Sequence, residues 1–259
     1  MLGRLKNMFS AKEALRPAVS FTLPLSPEAP FYAIGDVHGC DDLLQNLLQK
    51  IDSDRRINGR ENAPLVLLGD FVDRGKNSAA VLANIKSQQE ARPDKVICLM
   101  GNHEKMMLDF LDDPAERGPR WLRYGGVQTL ASYGISGVNE NSDLDDILEA
   151  CDALEAALPE SMENWIRGLP LIWQSGNICC VHAGMSPTHN PDKQEAHTLL
   201  WGHRDFLAVP RNDDVWVIHG HTVVSQATAE SGRIAIDTGA YKSGALTAAI
   251  ITKDHCGFL

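Results

Sequence analysis

The 259-residue chain lacks any stretch of about 20 apolar residues, the length a membrane-spanning helix needs, so no membrane span is expected. The first thirty residues have no apolar core of the signal-peptide kind. Its six cysteines, Cys40, Cys98, Cys151, Cys179, Cys180 and Cys256, form no Cys-x-x-Cys pair. Cys98, Cys179 and Cys180 sit in apolar runs, where a free thiol behaves as a small hydrophobe. This usage fits a reducing, cytoplasmic setting without disulfides. The neighbours Cys179 and Cys180 would point to opposite faces of a strand, which argues against a redox pair. Basic side chains are scarce, with 24 Lys and Arg against 34 Asp and Glu and a net charge of −10. Binding to long nucleic acid relies on basic side chains to neutralise backbone phosphates, so it is not expected. A small phosphorylated ligand is not excluded, because bound cations would invert the local field. There is no solenoid repeat and no low-complexity tract.

What is present is the pattern of one large α/β domain. Hydrophobic residues make up 44% of the chain, ordinary for a globular fold. Residues 1–30 read as a leader and linker. Leu2, Leu5, Met8 and Phe9 fall at helical spacing, and Pro17, Pro24, Pro27 and Pro30 mark extended chain. Residues 31–259 read as a single domain. Short apolar strands at Phe31–Gly35, Leu65–Gly69 and Val96–Met100 alternate with helices, one carrying Leu43, Leu44, Leu47, Leu48 and Ile51 on one face and one near Ser78–Gln89. That alternation predicts a mostly parallel central sheet. The stretch Pro114–Gly168 reads as helical, with a solvated acidic helix at Ser142–Leu158. Trp121, Tyr124, Trp165 and Trp173 read as core aromatics or as a cap over a cleft. Strands are then expected at Leu169–Trp173, Ile178–Val181, Val215–Ile218, Ala227–Glu230, Arg233–Ile236 and Ala245–Thr252, with turns at Ser175-Gly176-Asn177 and Ser231-Gly232.

Five apolar runs end in polar clusters: Gly35-Asp36-Val37-His38-Gly39, Gly69-Asp70-Phe71-Val72-Asp73-Arg74-Gly75, Gly101-Asn102-His103-Glu104, Val181-His182-Ala183-Gly184 and Gly220-His221-Thr222. Any one of them alone reads as a helix cap, an ion pair or a surface histidine. Together, at strand ends, they gather carboxylate, imidazole and amide oxygen donors with no thiolate. That set suits Mn²⁺, Fe or Zn²⁺ in open sites, and an Asp can bridge two ions through its two oxygens. Such a pair of ions is the apparatus for cleaving a phosphate ester with water.

In order and combination, GDVHG, GDFVDRG, GNHE, VHAG and GHT resemble the phosphoprotein phosphatase family of metallophosphoesterases in its short bacterial and phage form. The motifs run from Gly35 to Thr222. The resemblance implies a four-layer α/β/β/α sandwich with two mixed sheets. It implies two divalent ions, manganese first and iron or zinc as alternatives. Asp36 and His38 would ligate one ion, Asp70 would bridge both, and Asn102, His182 and His221 would ligate the other. His103 would stay unligated and donate a proton to the leaving oxygen, oriented by Asp73. Arg74 and Asn102 would hold the phosphate, with Arg204 of Leu200-Trp201-Gly202-His203-Arg204 as a second arginine. His219 is expected to be a non-ligand, and His189, His197, His203 and His255 to do no chemistry.

The activity implied is a metal-dependent serine/threonine protein phosphatase, cleaving a phosphoprotein or phosphopeptide without a covalent intermediate. The alternative is the symmetrical bis(5'-nucleosyl)-tetraphosphatase, or a broader nucleotide and phosphotyrosine phosphatase. The tetraphosphatases usually carry Ala where this chain has Asp73, which tips the sequence reading toward the protein phosphatase. A non-catalytic phosphate-binding module is disfavoured, because every expected position is filled. No regulatory subunit is implied.

Overall fold

The computed structural model describes residues 21 and 23–259. The helical spacing of Leu2 to Phe9 lies outside the described residues.

The chain begins its regular structure with β1 (Phe31–Ile34) and α1 (Asp41–Ile57), then β2 (Leu65–Leu67), α2 (Ser78–Ala91), β3 (Val96–Cys98) and α3 (Asn102–Asp112). A helical block follows: α4 (Pro114–Trp121), a kinked turn (Leu122–Gly126), α5 (Val127–Ser132), α6 (Leu144–Ala157) and α7 (Glu160–Arg167). The last part holds β4 (Ile172–Ser175), β5 (Ile178–Val181), α8 (Ala196–Trp201), β6 (Trp216–His219), β7 (Thr228–Glu230), β8 (Arg233–Ala235), α9 (Ala240–Ser243), β9 (Ala248–Thr252) and β10 (His255–Phe258).

These strands form two five-stranded sheets, ordered β10-β9-β1-β2-β3 and β4-β5-β6-β8-β7. The first pairs β1, β2 and β3 in parallel and adds β9 and β10 antiparallel on one side, while the second has a parallel centre, β5-β6-β8, between antiparallel edge strands β4 and β7. Two mixed sheets are what the resemblance implied, and the βα alternation of the first half supplies the parallel strands β1, β2 and β3 of the first of them. Strand alternation accounts for the layers. Phe31 and Ala33 of β1 pack with Cys180, Ile218 and Ile234 of the second sheet. Tyr32 and Ile34 turn the other way, onto Leu44, Leu47 and Ile51 of α1 and Leu82 and Ile85 of α2. Cys179 and Val181 cover the outer face of the second sheet under Leu199 and Phe206. Period-two side chains thus build a sandwich of two sheets with helices outside. Cys179 and Cys180 lie on opposite faces, and all six cysteines are free thiols.

Most strand ends shift by a few residues from the sequence expectation, and two differences have a local reason. The strand placed at Leu169–Trp173 is instead Ile172–Ser175. Pro170 has no N–H to give a ladder, and its carbonyl accepts from the Met100 N–H at 2.9 Å, tying the segment to the end of β3. Strand β10 was not anticipated; it follows a tight turn in which Asp254 has φ 61°. The segment with Pro24, Pro27 and Pro30 is an extended strap, and Pro17 lies outside the described residues. Leu23 O accepts from Trp216 Nε1 at 2.9 Å, and Asn177 receives the Ser26 N–H at 2.8 Å and donates to Pro24 O at 3.0 Å. No helix among the described residues is long and apolar enough to cross a membrane.

Candidate active site

The two sheets bring six chain segments to one edge. Asp36 follows β1, Asp70 follows β2, Asn102 opens α3 after β3, His182 follows β5, His221 follows β6 and Asp237 follows β8. Ligands bind beyond the carboxyl ends of parallel strands for this topological reason. Asp36, His38, Asp70, Asp73, Asn102, His103 and His182 are all buried. Of the eight non-glycine residues with positive φ among the described residues, five are His38 (45°), Asp70 (51°), Asp73 (73°), Arg74 (67°) and His221 (61°). Backbone strain of this kind persists only where the surroundings over-determine it, and it collects at functional sites.

Asp70 sits at the centre. Its Oδ2 lies 3.5 Å from His38 Nε2, and its Oδ1 lies 3.4 Å from His182 Nε2. Two sets of donor atoms converge there: Asp70 with His38 and His103, and Asp70 with His182 and His221. Glu104 holds the loop rigid, since its carboxylate accepts from the N–H groups of Asp70, Phe71, Val72 and Gly101 at 2.7–3.1 Å.

The imidazoles are arranged to present lone pairs. His38 Nδ1 donates to Val72 O at 2.9 Å, and His182 Nδ1 donates to Leu68 O at 3.0 Å. Each bond fixes the tautomer and leaves Nε2 as an acceptor. Burial pushes the His38 pKa down to about 3 and that of His221 to about 4, and it lowers that of His182 as well. Neutral imidazole is the form that binds metal. Burial works against ionised Asp70, but His182, His103 and His38 together hold its carboxyl well below the usual range.

The residues fit a pair of divalent ions. His182 Nε2 and His221 Nδ1 each lie 2.8 Å from Asn102 Oδ1, so a bare lone pair of His182 faces an amide oxygen, a convergence that a cation completes. Asp36 Oδ1 is buried with no hydrogen-bond partner, while its Oδ2 accepts the His221 N–H at 2.9 Å. Gly220 leaves no room for a side chain there, since a Cβ would stand 1.9 Å from Asp36 Oδ1. An unpartnered buried carboxylate oxygen is costly, and a metal ligand is the role that relieves it.

His103 differs from the other imidazoles. Its Nδ1 is 2.6 Å from Asp73 Oδ2, and its Nε2 faces the cluster, 3.9 Å from Asp70 Oδ2. Burial opposes its protonation, but the carboxylates of Asp70 and Asp73 prevail and raise its pKa. Asp73 is itself clamped: Trp121 Nε1 donates to it at 3.0 and 3.1 Å, and Thr129 Oγ1 at 2.7 Å. A carboxylate fixed in this way would orient His103 and stabilise its imidazolium. Replacing Asp73 with Asn removes that charge, so His103 should lose its proton at lower pH. The alkaline limb of kcat/KM, followed on an alkyl phosphate, is expected to move down by about one pH unit or more. An unmoved limb would show that Asp73 does not set the acid.

Arg74 donates from Nη1 to His38 Nε2 at 3.1 Å, and its guanidinium lies 4.8 Å over the ring of Tyr241. It thus reaches the edge of the cluster of donor atoms at His38. Arg204 is not brought to this cluster. Its side chain is 89% exposed, and its ion-pair partner is Asp205 at 3.5 Å. Local pattern alone suggested Arg204; in the structure the tight Gly202 turn (φ 85°) precedes it and it points to solvent. His219 is buried edge-on to Phe206, its Nδ1 donating to Gly220 O at 3.1 Å, and belongs to neither donor set.

Sequence reasoning missed four participants. Trp121 and Thr129 lie about fifty residues from the Asp73 they hold; a buried indole N–H needing a partner was the available hint for the first. Glu104 closed the Gly-Asn-His-Glu motif without being given a role. Asp237 is buried opposite Asp36, each carboxyl raised by burial and then by neighbouring carboxylates; it follows a strand as the other acidic residues do. A hollow of about 930 Å³ between α1 and the loop before β9 lies elsewhere and holds none of these groups.

The sequence pattern of the calcineurin-like phosphoesterase family matches residues 29–239. A symmetrical bis(5'-nucleosyl)-tetraphosphatase of Glaesserella parasuis is 32% identical over 186 residues, covering 68% of this chain and 55% of that protein. The chain spans about half the length of the curated relatives it matches. Among solved structures, a provisionally assigned diadenosine tetraphosphatase superposes with a TM-score of 0.60 at 16% identity, covering 92% of this chain and 98% of that one. A cold-active protein-tyrosine phosphatase from a psychrophilic Shewanella superposes with a TM-score of 0.59 at 18% identity, covering 91% and 83%. At these identities the superpositions establish the fold.

Proposed function

The chain belongs to the calcineurin-like phosphoesterase family, and from that premise we propose that it is a metal-dependent hydrolase of dinucleoside tetraphosphates, cleaving them symmetrically with water into two nucleoside diphosphates. The observation that carries this reading is the name borne by the curated relatives, symmetrical bis(5'-nucleosyl)-tetraphosphatase. It supports the tetraphosphatase better than the protein phosphatase that the Asp-Arg-Gly signature favoured.

Asp36, His38 and Asp70 would hold one divalent ion, and Asp70, Asn102, His182 and His221 the other; their carboxylate, imidazole and amide donors suit manganese. When bound, such a pair supplies Lewis acidity at the phosphoryl oxygens and a nucleophilic water near neutral pH. The chain's own residues do the rest. Arg74 binds the phosphoryl oxygens through its planar fork. Asn102 orients the same phosphate. Glu104 keeps the Asp70 loop from relaxing. His103 carries a proton at Nε2, facing the leaving oxygen.

A second reading, hydrolysis of phosphoserine or phosphothreonine in proteins, is favoured by the clamped Asp73–His103 pair. A serine alkoxide needs a proton as it leaves, whereas a nucleoside diphosphate, whose terminal phosphate has a second pKa near 6, leaves without one. One panel separates the two: kcat/KM at fixed Mn²⁺ for diadenosine tetraphosphate, phosphoserine and phosphotyrosine peptides, and mononucleotides. A preference of about a hundredfold for the dinucleotide is expected. A like preference for the phosphopeptide would establish the second reading in its place.

A further inference from the structure

A second hollow of about 570 Å³ opens directly from the candidate active site, within the size range of small-molecule pockets. Arg74 and Tyr241 belong to both. Arg74 reaches His38, and the Tyr241 ring stands edge-on to the His38 ring at 5.3 Å. Away from the cluster the hollow is lined by Arg123, Tyr124, Gln128 and Glu140. Tyr124 is 49% exposed and Tyr241 39%, so two large rings face solvent beside one cleft.

Tyr124 does not sit on an ordinary loop. It lies in the kinked turn Leu122–Gly126 between α4 and α5, where the backbone leaves the helical conformation at Gly125. The next residue, Gly125, has φ 121°, its carbonyl accepts the Arg74 N–H at 3.3 Å, and a Cβ there would come within 2.6 Å of Arg74 N. The turn is therefore pressed against the backbone of the arginine that reaches the cluster. Tyr124 is the residue before that contact, and its ring is exposed at the hollow.

We infer that this hollow seats one nucleoside of the dinucleotide, with the Tyr124 ring as the surface on which its base stacks. The inference rests on the tetraphosphatase reading and deepens it. Every base offers a π-face, so an aromatic platform binds nucleotides without demanding one base. Arg123 supplies a cation for the phosphates between the base and Arg74. Glu140 and Gln128 offer an acceptor and an amide for the sugar hydroxyls and the base edge.

The test compares the wild type with Tyr124→Ala and Tyr124→Phe in the full chain, with Mn²⁺. KM for diadenosine tetraphosphate should rise about tenfold or more in Tyr124→Ala with kcat little changed, and Tyr124→Phe should behave as wild type. Calorimetric titration with ADP should weaken by a similar factor, while titration with pyrophosphate, which has no base, should not change. Equal weakening for both ligands, or none for either, overturns the stacking platform. If the wild type cleaves the dinucleotide and Tyr124→Ala is unaltered, only the platform falls. If the wild type does not cleave it, the platform falls together with the reading it rests on.

Discussion

Asp70→Asn is expected to empty both metal positions at once and to lower kcat/KM about a thousandfold. Asp70 is the one side chain common to the two converging donor sets, and each of its oxygens faces a different histidine, Oδ2 toward His38 and Oδ1 toward His182. An amide offers only one oxygen and no charge, so it cannot bridge. The lost Lewis acidity amounts to several kcal/mol of barrier, which sets the factor. Metal content measured on the purified variant, beside kcat/KM, decides the matter. Retention of two ions per chain with activity within tenfold of wild type would show that Asp70 is not the bridge. The fold should survive the substitution, because Glu104 rather than the Asp70 side chain ties the N–H groups of this loop.

The second large effect is selective. His103→Asn should reduce turnover of a phosphoserine peptide or another alkyl phosphate by about a hundredfold or more, the usual contribution of a general acid. On p-nitrophenyl phosphate or diadenosine tetraphosphate the loss should stay below about tenfold, since those leaving groups depart as stable anions. The contrast follows from geometry: His103 is bonded at Nδ1 to Asp73, its Nε2 is directed to the cluster, and neighbouring carboxylates raise its pKa. Comparable losses on both kinds of ester would mean that His103 acts through metal binding or structure and not as an acid.

Most of the centre could be read from the sequence because it is written locally. An apolar run followed at once by Asp, His or Asn announces a strand end that carries ligands, and Asp36, Asp70, Asn102, His182 and His221 all meet at one edge of the sandwich. The support for those residues is not local. Trp121 and Thr129 reach Asp73 only because the helical block after α3 folds back over the β2 loop. No spacing in the sequence announces that contact. Asp237 was legible in principle, as an acidic residue just past a strand, but it lacks a histidine beside it to mark it. Tyr124 was read as core or cap; the kinked turn that carries it is tied at Gly125 to the backbone of Arg74, about fifty residues earlier. Strand β10 was missed because His255-Cys256-Gly257-Phe258 has little apolar alternation and pairs only through its hairpin with β9.

The account stands on two cations flanking Asp70 beside an imidazole that they do not touch. The most direct measurement is an anomalous-scattering map of crystals grown with manganese. Two peaks are predicted, one among Asp36, His38 and Asp70 and the other among Asp70, Asn102, His182 and His221, with His103 still bonded to Asp73. Absence of density at Asp70, or a peak coordinated by His103 Nε2, would contradict it.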